Sequence, residues 1–178
     1  MKPNRASLLT LAVIFSCAVI GFSQHGANPR GKDKLTVNGQ TITIEYGRPS
    51  LKGRTFEELL KMPWEPGHGF WRLGADKSTT FTTTANLKFG AATVHKGIYS
   101  LLAQRTANNQ WKLVFNTDHG QWGTKHNPAH DVAFVPLKET KVSESAQELV
   151  ISITKHGNGG VILIHWGDTE LTTHFTVA

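Results

Sequence analysis

The stretch TTFTTTANLKF, residues 79–89, decides the fold class of this chain. Phe81, Ala85, Leu87 and Phe89 share one parity, whereas threonine, asparagine and lysine occupy most of the alternate positions. Successive side chains of a strand point to opposite faces of its sheet. The alternation therefore predicts strands with one apolar face and one wet face.

The same period of two recurs on both sides of this stretch. Its apolar members are Ile42, Ile44 and Tyr46; Trp111, Leu113 and Phe115; Leu149, Ile151 and Ile153; and Leu171, Phe175 and Val177. Turn signals separate these runs at Asn38-Gly39, Lys96-Gly97, Asn108-Asn109 and residues 156–160. About eight to ten short strands spaced in this way predict an all-β fold, an antiparallel β-sandwich or jelly roll.

Two segments depart from this pattern. Residues 161–166 are apolar on both parities except at His165, which predicts a central strand covered on both faces. Residues 55–62 read TFEELLKM and predict one short helix. Thr55 is its expected cap, and Glu58 three residues later completes a capping box.

The amino-terminal residues predict export. Lys2 and Arg5 precede an apolar run at residues 8–22, and Gly21 and Ser23 provide the small residues of a cleavage site. This is the pattern of a secretory signal peptide, and the run is shorter than the roughly 20 residues that span a bilayer. We therefore expect a signal peptide at 1–23, a flexible leader at 24–33 and a single β-sandwich domain at 34–178. The expected location is periplasmic or extracellular, with no transmembrane segment after cleavage.

Cys17 is the only cysteine of the chain and lies inside the apolar run. The residues before it loosely resemble a lipoprotein box, so a lipid anchor at Cys17 in the outer envelope is the alternative to simple cleavage. Cleavage after Ser23 removes the only thiol, which excludes thiol catalysis and cysteine-ligated zinc in the mature protein.

The charge pattern argues against a nucleic-acid partner. Removal of Lys2 and Arg5 with the signal peptide lowers the formal net charge from +6 to +4. The remaining basic residues are scattered singly, as at Lys88, Lys112 and Lys138. Nucleic-acid binders concentrate their charge in a patch or stripe, so this pattern indicates a solvated surface.

Five blocks carry a resemblance to a known family. They are RPSLKGR (48–54), WRLGADKSTT (71–80), HKGIYSLL (95–102), WKLVFN followed by WG (111–116 and 122–123) and GGVILIHWGDTELTTHFTV (159–177). In this order and spacing, over roughly residues 34–178, the chain resembles the bacterial family catalogued as domain of unknown function 2911. The resemblance implies an exported, mostly β protein and no established activity.

The resemblance also supplies candidate site residues. Those that match the family's pattern are Arg48, Arg54, Trp71, Arg72, Tyr99, Asn116 and Trp122. The chain departs from the pattern at Asp76, where the family usually has asparagine, and at Phe134, where it usually has arginine. We include Asp76 among the ligand-binding candidates and interpret Tyr99 as a packing residue.

Each candidate has a structural alternative. Arg48 and Arg72 can form a fork for a carboxylate, phosphate or sulfate, because a guanidinium suits bidentate anions. They can equally brace loops by pairing with carboxylates or backbone carbonyls. The indoles of Trp71 and Trp122 can stack on sugar rings, or Trp71 can be a core residue.

A histidine cluster raises a metal hypothesis. His119, His126, His130 and Asp131 bring three imidazoles and a carboxylate into thirteen residues, a donor set that suits zinc or another first-row metal. The spacing is not a recognised one, and Asn127-Pro128 makes a turn more favourable than one helix face. Mobile surface histidines are the alternative.

No reaction signature accompanies these residues, since the chain has no GxSxG elbow and no phosphate-binding glycine loop. We therefore expect a non-catalytic binding module without a cofactor, for a small polar or glycan-like ligand or for an envelope partner. A metal-dependent hydrolase that uses the histidine cluster and a purely structural envelope component are the alternatives.

Overall fold

The computed structural model describes residues 27–62 and 69–178. The predicted signal peptide at 1–23 and the alternative anchor at Cys17 lie outside these residues. In the part of the chain that is described, no helix has the length and apolar character needed to cross a bilayer.

The regular structure of the described residues is almost entirely β. Its elements are β1 (Arg30–Val37), β2 (Gln40–Gly47), α1 (Phe56–Leu60), β3 (Phe70–Trp71), β4 (Thr79–Thr83), β5 (Leu87–Phe89), β6 (Ala92–Val94), β7 (Gly97–Arg105), β8 (Trp111–Asn116), a 3-10 turn (Pro128–His130), β9 (Asp131–His156) and β10 (Gly159–Val177). One antiparallel sheet joins the strands in the order β1-β2-β4-β7-β8-β9-β10-β5-β6, with β3 beside β7. The predicted all-β class, the strand number and the single short helix are confirmed.

The long strand β9 turns this sheet into two layers. Its first part, Asp131–Leu137, pairs with β8, and its later part pairs with β10. Phenylalanines from β4, β8, β5 and β10 meet between the layers, where the ring of Phe115 in β8 lies 5.5 Å from that of Phe89 in β5. The apolar faces of both layers thus share one core.

The stretch at residues 79–89 supplies two of these strands. Phe81, Leu87 and Phe89 are buried, in agreement with their common parity. A bend separates β4 from β5, where the hydroxyl of Thr83 donates to the carbonyl of Ala85 at 2.7 Å and accepts from its N–H at 3.2 Å. This local bonding satisfies the backbone at the point where the chain passes from β4 to β5.

The structure differs from the sequence prediction in two details. Residues 30–33 belong to β1 and not to the flexible leader, because they pair with β2 and the Asp33 carboxylate accepts the N–H of Ile153 at 2.7 Å. Residues 161–166 form part of β10, but only Ile162, Ile164 and Trp166 are buried, while the alternate positions are half-buried. The segment therefore has one covered face, not two.

Helix α1 begins as its sequence predicts. Thr55 is the N-cap, and the reciprocal bonds of the capping box with Glu58 are both present. The hydrogen bonds from Thr55 hold the pKa of Glu58 below its ordinary value. The helix packs on the sheet through Phe56, whose ring lies 4.9 Å from that of Trp71 and 6.0 Å from those of Trp111 and Trp166.

Replacement of Phe56 by alanine is expected to lower the free energy of unfolding by about 3–5 kcal/mol, since it leaves a cavity among three tryptophans. Urea denaturation of the purified protein measures this loss. Phe134→Ala is the matched control, because Phe134 is 44% exposed, and it should change stability by no more than about 0.5 kcal/mol. Equal losses in the two variants would show that α1 is not anchored in this way.

Candidate functional site

Two loops approach each other beside α1 and enclose a small cavity. The first, residues 48–55, links β2 to α1, and the second, residues 72–78, links β3 to β4. They come together because Gly47 and Gly74 lack side chains, and a Cβ at Gly47 would lie 2.9 Å from the backbone nitrogen of Ala75. The glycines are therefore required by close backbone contact.

Both loops contain residues in the left-handed region that are not glycine. They are Lys52 (φ 51°) in the first loop and Leu73 (φ 52°) and Asp76 (φ 63°) in the second. Such conformations are uncommon for residues with a side chain and often occur at functional sites. The surrounding contacts hold the two loops in these strained conformations.

We name the space between the loops the cationic cavity. It has a volume of about 140 Å³ and is lined by Asn28, Pro49, Ser50, Lys52, Arg54, Leu59, Arg72, Gly74, Ala75 and Trp166. Three of these side chains are cations, and none of the described lining residues is acidic. Lys52 and Arg54 therefore bring positive charge to the wall, and Arg72 adds a guanidinium group.

The arginines of the cavity are held in place. Arg54 donates from Nε to the carbonyl of Leu51 at 2.9 Å, which fixes its guanidinium at the rim. Arg72 is half-buried. A Cβ at Gly123 would lie 3.2 Å from Cδ of Arg72, so the arginine stem runs close along this glycine.

Trp166 also lines the cavity. Its indole Nε1 is buried and has no hydrogen-bond partner among the described residues. Trp71 stacks on it, with ring centroids 5.7 Å apart and planes inclined by 13°. Trp71 itself is only 2% exposed, so the structure places it in the core beneath Trp166, where it is not a surface for a sugar ring.

A second concavity borders the first. We name it the Trp122 groove; it has a volume of about 670 Å³ and is lined by Ala27, Asn28, Arg30, Glu45, Asp76, Lys77, Ser78, Thr80, Gly120 and Trp122. The Trp122 side chain is 50% exposed. Asp76 Oδ2 accepts from the backbone N–H of Asn28 at 2.8 Å and from its side-chain amide at 3.2 Å. Two of the predicted candidates, Asp76 and Trp122, thus meet here.

Arg48 does not line the cationic cavity. Its guanidinium pairs with Glu148 of β9 at 2.8 Å, and the backbone N–H of Arg48 donates to the carbonyl of Pro29 at 2.7 Å. The structure therefore brings Arg54, and not Arg48, together with Arg72. Arg48 therefore braces its loop, which was the structural alternative for this residue. Its partner lies 100 positions further along the chain.

Asn116 lies away from both concavities and is 1% exposed. Its amide donates to the carbonyl of Asn127 at 2.9 Å and to Asp131 at 2.8 Å, while its Oδ1 accepts the N–H of Asp118 at 2.8 Å. The side chain therefore fixes both ends of the loop between β8 and β9.

The histidines of this loop pair separately with carboxylates. His126 Nε2 lies 3.0 Å from Asp131 Oδ1, and both side chains are buried. His130 Nδ1 lies 2.8 Å from Asp118 Oδ1 at the surface, and His119 is exposed. Within residues 27–62 and 69–178, no group of three or more histidine and acidic side chains is arranged to hold a metal ion.

A family model described as a protein of unknown function (DUF2911) matches residues 28–175. The chain belongs to this family. No curated protein and no solved structure matches the chain significantly.

The candidate residues divide among three environments. Arg54, Arg72 and Trp122 line the two concavities, and Trp71 supports them from the core. Tyr99 is a packing residue of β7, where burial raises its pKa and its hydroxyl donates to the carbonyl of His95 at 2.9 Å. Arg48 and Asn116 brace loops.

Sequence reasoning missed Asn28, Lys52 and Trp166 as residues of the site. Lys52 is followed by Gly53, and both have positive φ angles, so the Lys-Gly pair was the available signal for a turn that presents the lysine. Nothing in an apolar strand distinguishes Trp166 from an ordinary core residue.

Replacement of Asn116 by alanine is expected to destabilise the protein, because it leaves the N–H of Asp118 and the carbonyl of Asn127 without a partner. Each buried polar group left in this way costs about 1–3 kcal/mol. Chemical denaturation measures the loss. Thr117→Ala serves as the control, since its hydroxyl makes one exposed contact of 3.4 Å; a loss for Asn116→Ala as small as that of the control would refute the bracing role.

Proposed function

We propose that the protein is a non-catalytic binding protein that holds the anionic group of a small ligand in the cationic cavity. The observation that carries this proposal is the convergence of the cations Lys52 and Arg54 on one cavity, which Arg72 also lines and whose described wall has no acidic residue. The anionic group is a carboxylate, phosphate or sulfate.

The chemistry of the wall supports this assignment. Guanidinium groups bind carboxylate and phosphate in bidentate fashion. Like charges held close together repel one another, and a bound anion offsets that repulsion.

The size of the cavity limits what enters it. Its volume of about 140 Å³ equals that of about four or five liquid waters at ~30 Å³ each. Pockets for drug-sized molecules measure roughly 300–1,000 Å³. The cavity therefore accommodates one anionic group and not a whole larger ligand.

The lining residues also favour binding over catalysis. Among the described residues of the cavity wall there is no histidine and no carboxylate, the side chains that most often transfer protons near neutral pH. The wall supplies hydrogen-bond donors and positive charge, which hold an anion without transforming it.

Phosphate, sulfate and acetate, each added as its sodium salt at constant ionic strength, should raise the melting temperature of the protein. A ligand at 100 times its Kd stabilises by about 2.7 kcal/mol, which corresponds to roughly 5–10 °C for a chain of this size. Arg72→Met retains the stem beside Gly123 and removes the charge, so it should abolish most of the shift, as should Arg54→Gln.

One control matches these variants. Lys88→Met removes an exposed cation of β5 and should leave the shift intact. The absence of a shift with all three anions, or an unchanged shift in Arg54→Gln and Arg72→Met, would refute the proposal.

We propose that this binding occurs outside the cytoplasm. Its support is the signal-peptide pattern of residues 1–23. Mass spectrometry of the full-length chain expressed in a Gram-negative host should find a mature protein that begins at Gln24 in the periplasmic fraction. A lipid-modified Cys17 at the new amino terminus would indicate the anchored alternative, and an intact chain in the cytoplasm would refute export.

A further inference from the structure

The cationic cavity and the Trp122 groove share one wall. Asn28 lines both, and Ala75 of the cavity directly precedes Asp76 of the groove. Gly123, the neighbour of Trp122, donates its N–H to the carbonyl of Asp76 at 2.7 Å. The loop that carries Arg72 and Asp76 thus presents a cation to one concavity and lies directly against the base of Trp122 in the other.

The two concavities differ in charge. The described lining residues of the cavity include the cations Lys52 and Arg54 and no acid. The groove has two cations, Arg30 and Lys77, and two acids, Glu45 and Asp76. Its formal charges therefore balance, and an anionic group is held better in the cavity than in the groove.

The groove has the groups that a sugar ring requires. The exposed indole of Trp122 offers a flat apolar surface with a negative face, which attracts the C–H groups of a pyranose. Carboxylates accept hydrogen bonds from hydroxyl groups, and lysine and arginine donate to them. A carboxylate has about four acceptor sites, so Asp76 retains capacity beyond its two bonds from Asn28.

We infer that the ligand is an acidic saccharide, with its carboxylate or phosphate in the cationic cavity and a neighbouring ring on Trp122 in the groove. This inference rests on the proposed function of the cavity and assigns the substance that carries the anion. At about 670 Å³, the groove falls within the range of pockets that hold small organic ligands.

Isothermal titration calorimetry of the mature chain tests the inference with matched probes. They are a disaccharide that ends in glucuronic acid, the neutral disaccharide with glucose in its place, the same neutral disaccharide phosphorylated at that ring, and acetate and phosphate alone. An acidic disaccharide should bind at least tenfold more tightly than the neutral disaccharide and than its own free anion. The uronate and the phosphorylated arms show which acidic group the cavity prefers.

Variants measure separately how much the contact with the sugar ring and the contact with the acidic group contribute to binding. Trp122→Ala should weaken binding of the preferred acidic disaccharide about tenfold and leave acetate and phosphate binding unchanged, and Trp122→Phe should restore most of the loss. Phe134→Ala removes another exposed aromatic side chain and should change nothing. Arg54→Gln should weaken the free anions and the acidic disaccharides alike.

The outcomes of these titrations distinguish binding of an acidic saccharide from binding of an anion alone. Acidic disaccharides that bind no more tightly than the free anions, or that are indifferent to Trp122→Ala, would overturn the inference and leave anion binding in place. Equal affinity for neutral and acidic disaccharides, with no effect of Arg54→Gln, would overturn both.

Discussion

The stack of Trp71 on Trp166 is the contact on which the arrangement of the loops depends. Trp71 belongs to the short strand β3 beside β7, whereas Trp166 belongs to β10 in the other layer. Phe56 of α1 packs on the edge of the first ring and near the second. Aromatic pairs of this kind contribute about 0.5–1.5 kcal/mol beyond the burial of their area. One cluster thus joins both layers and the helix, and the wall of the cationic cavity is built upon it.

Ion pairing between individual side chains, and not the net charge of the chain, determines the charge of the candidate site. Arg48 pairs with Glu148, and Arg105 pairs with Glu57 of α1 at 2.8 Å. Exposed pairs such as these contribute little to stability, but they neutralise the charges of these two arginines. Lys52 and Arg54 instead line the cationic cavity, whose described wall has no acidic residue. The scatter of basic residues along the sequence is therefore compatible with a local group of cations in the fold.

The periodicity of the sequence predicts the class of the fold because burial of one strand face is a local property. It predicts α1 for the same reason, since Thr55 and Glu58 bond within one turn. Pairings over long separations have no such signal. The partner of Arg48 lies 100 residues away at Glu148, and no period distinguishes the buried Trp71 from the exposed Trp122. Recognition of family blocks supplied the members of the candidate surface, and only the tertiary structure divides them into lining, supporting and bracing residues.

The charge of Asp76 determines the charge balance of the Trp122 groove in the recognition that we propose. Either asparagine or aspartate can accept the two bonds from Asn28 through a side-chain oxygen. Aspartate adds a negative charge to the groove, beside Glu45 and facing Arg30 and Lys77. With asparagine at this position the groove would carry a net positive charge and would attract anions itself. In this chain the carboxylate cancels that attraction, so the acidic group of a ligand is directed to the cavity and the uncharged ring to Trp122.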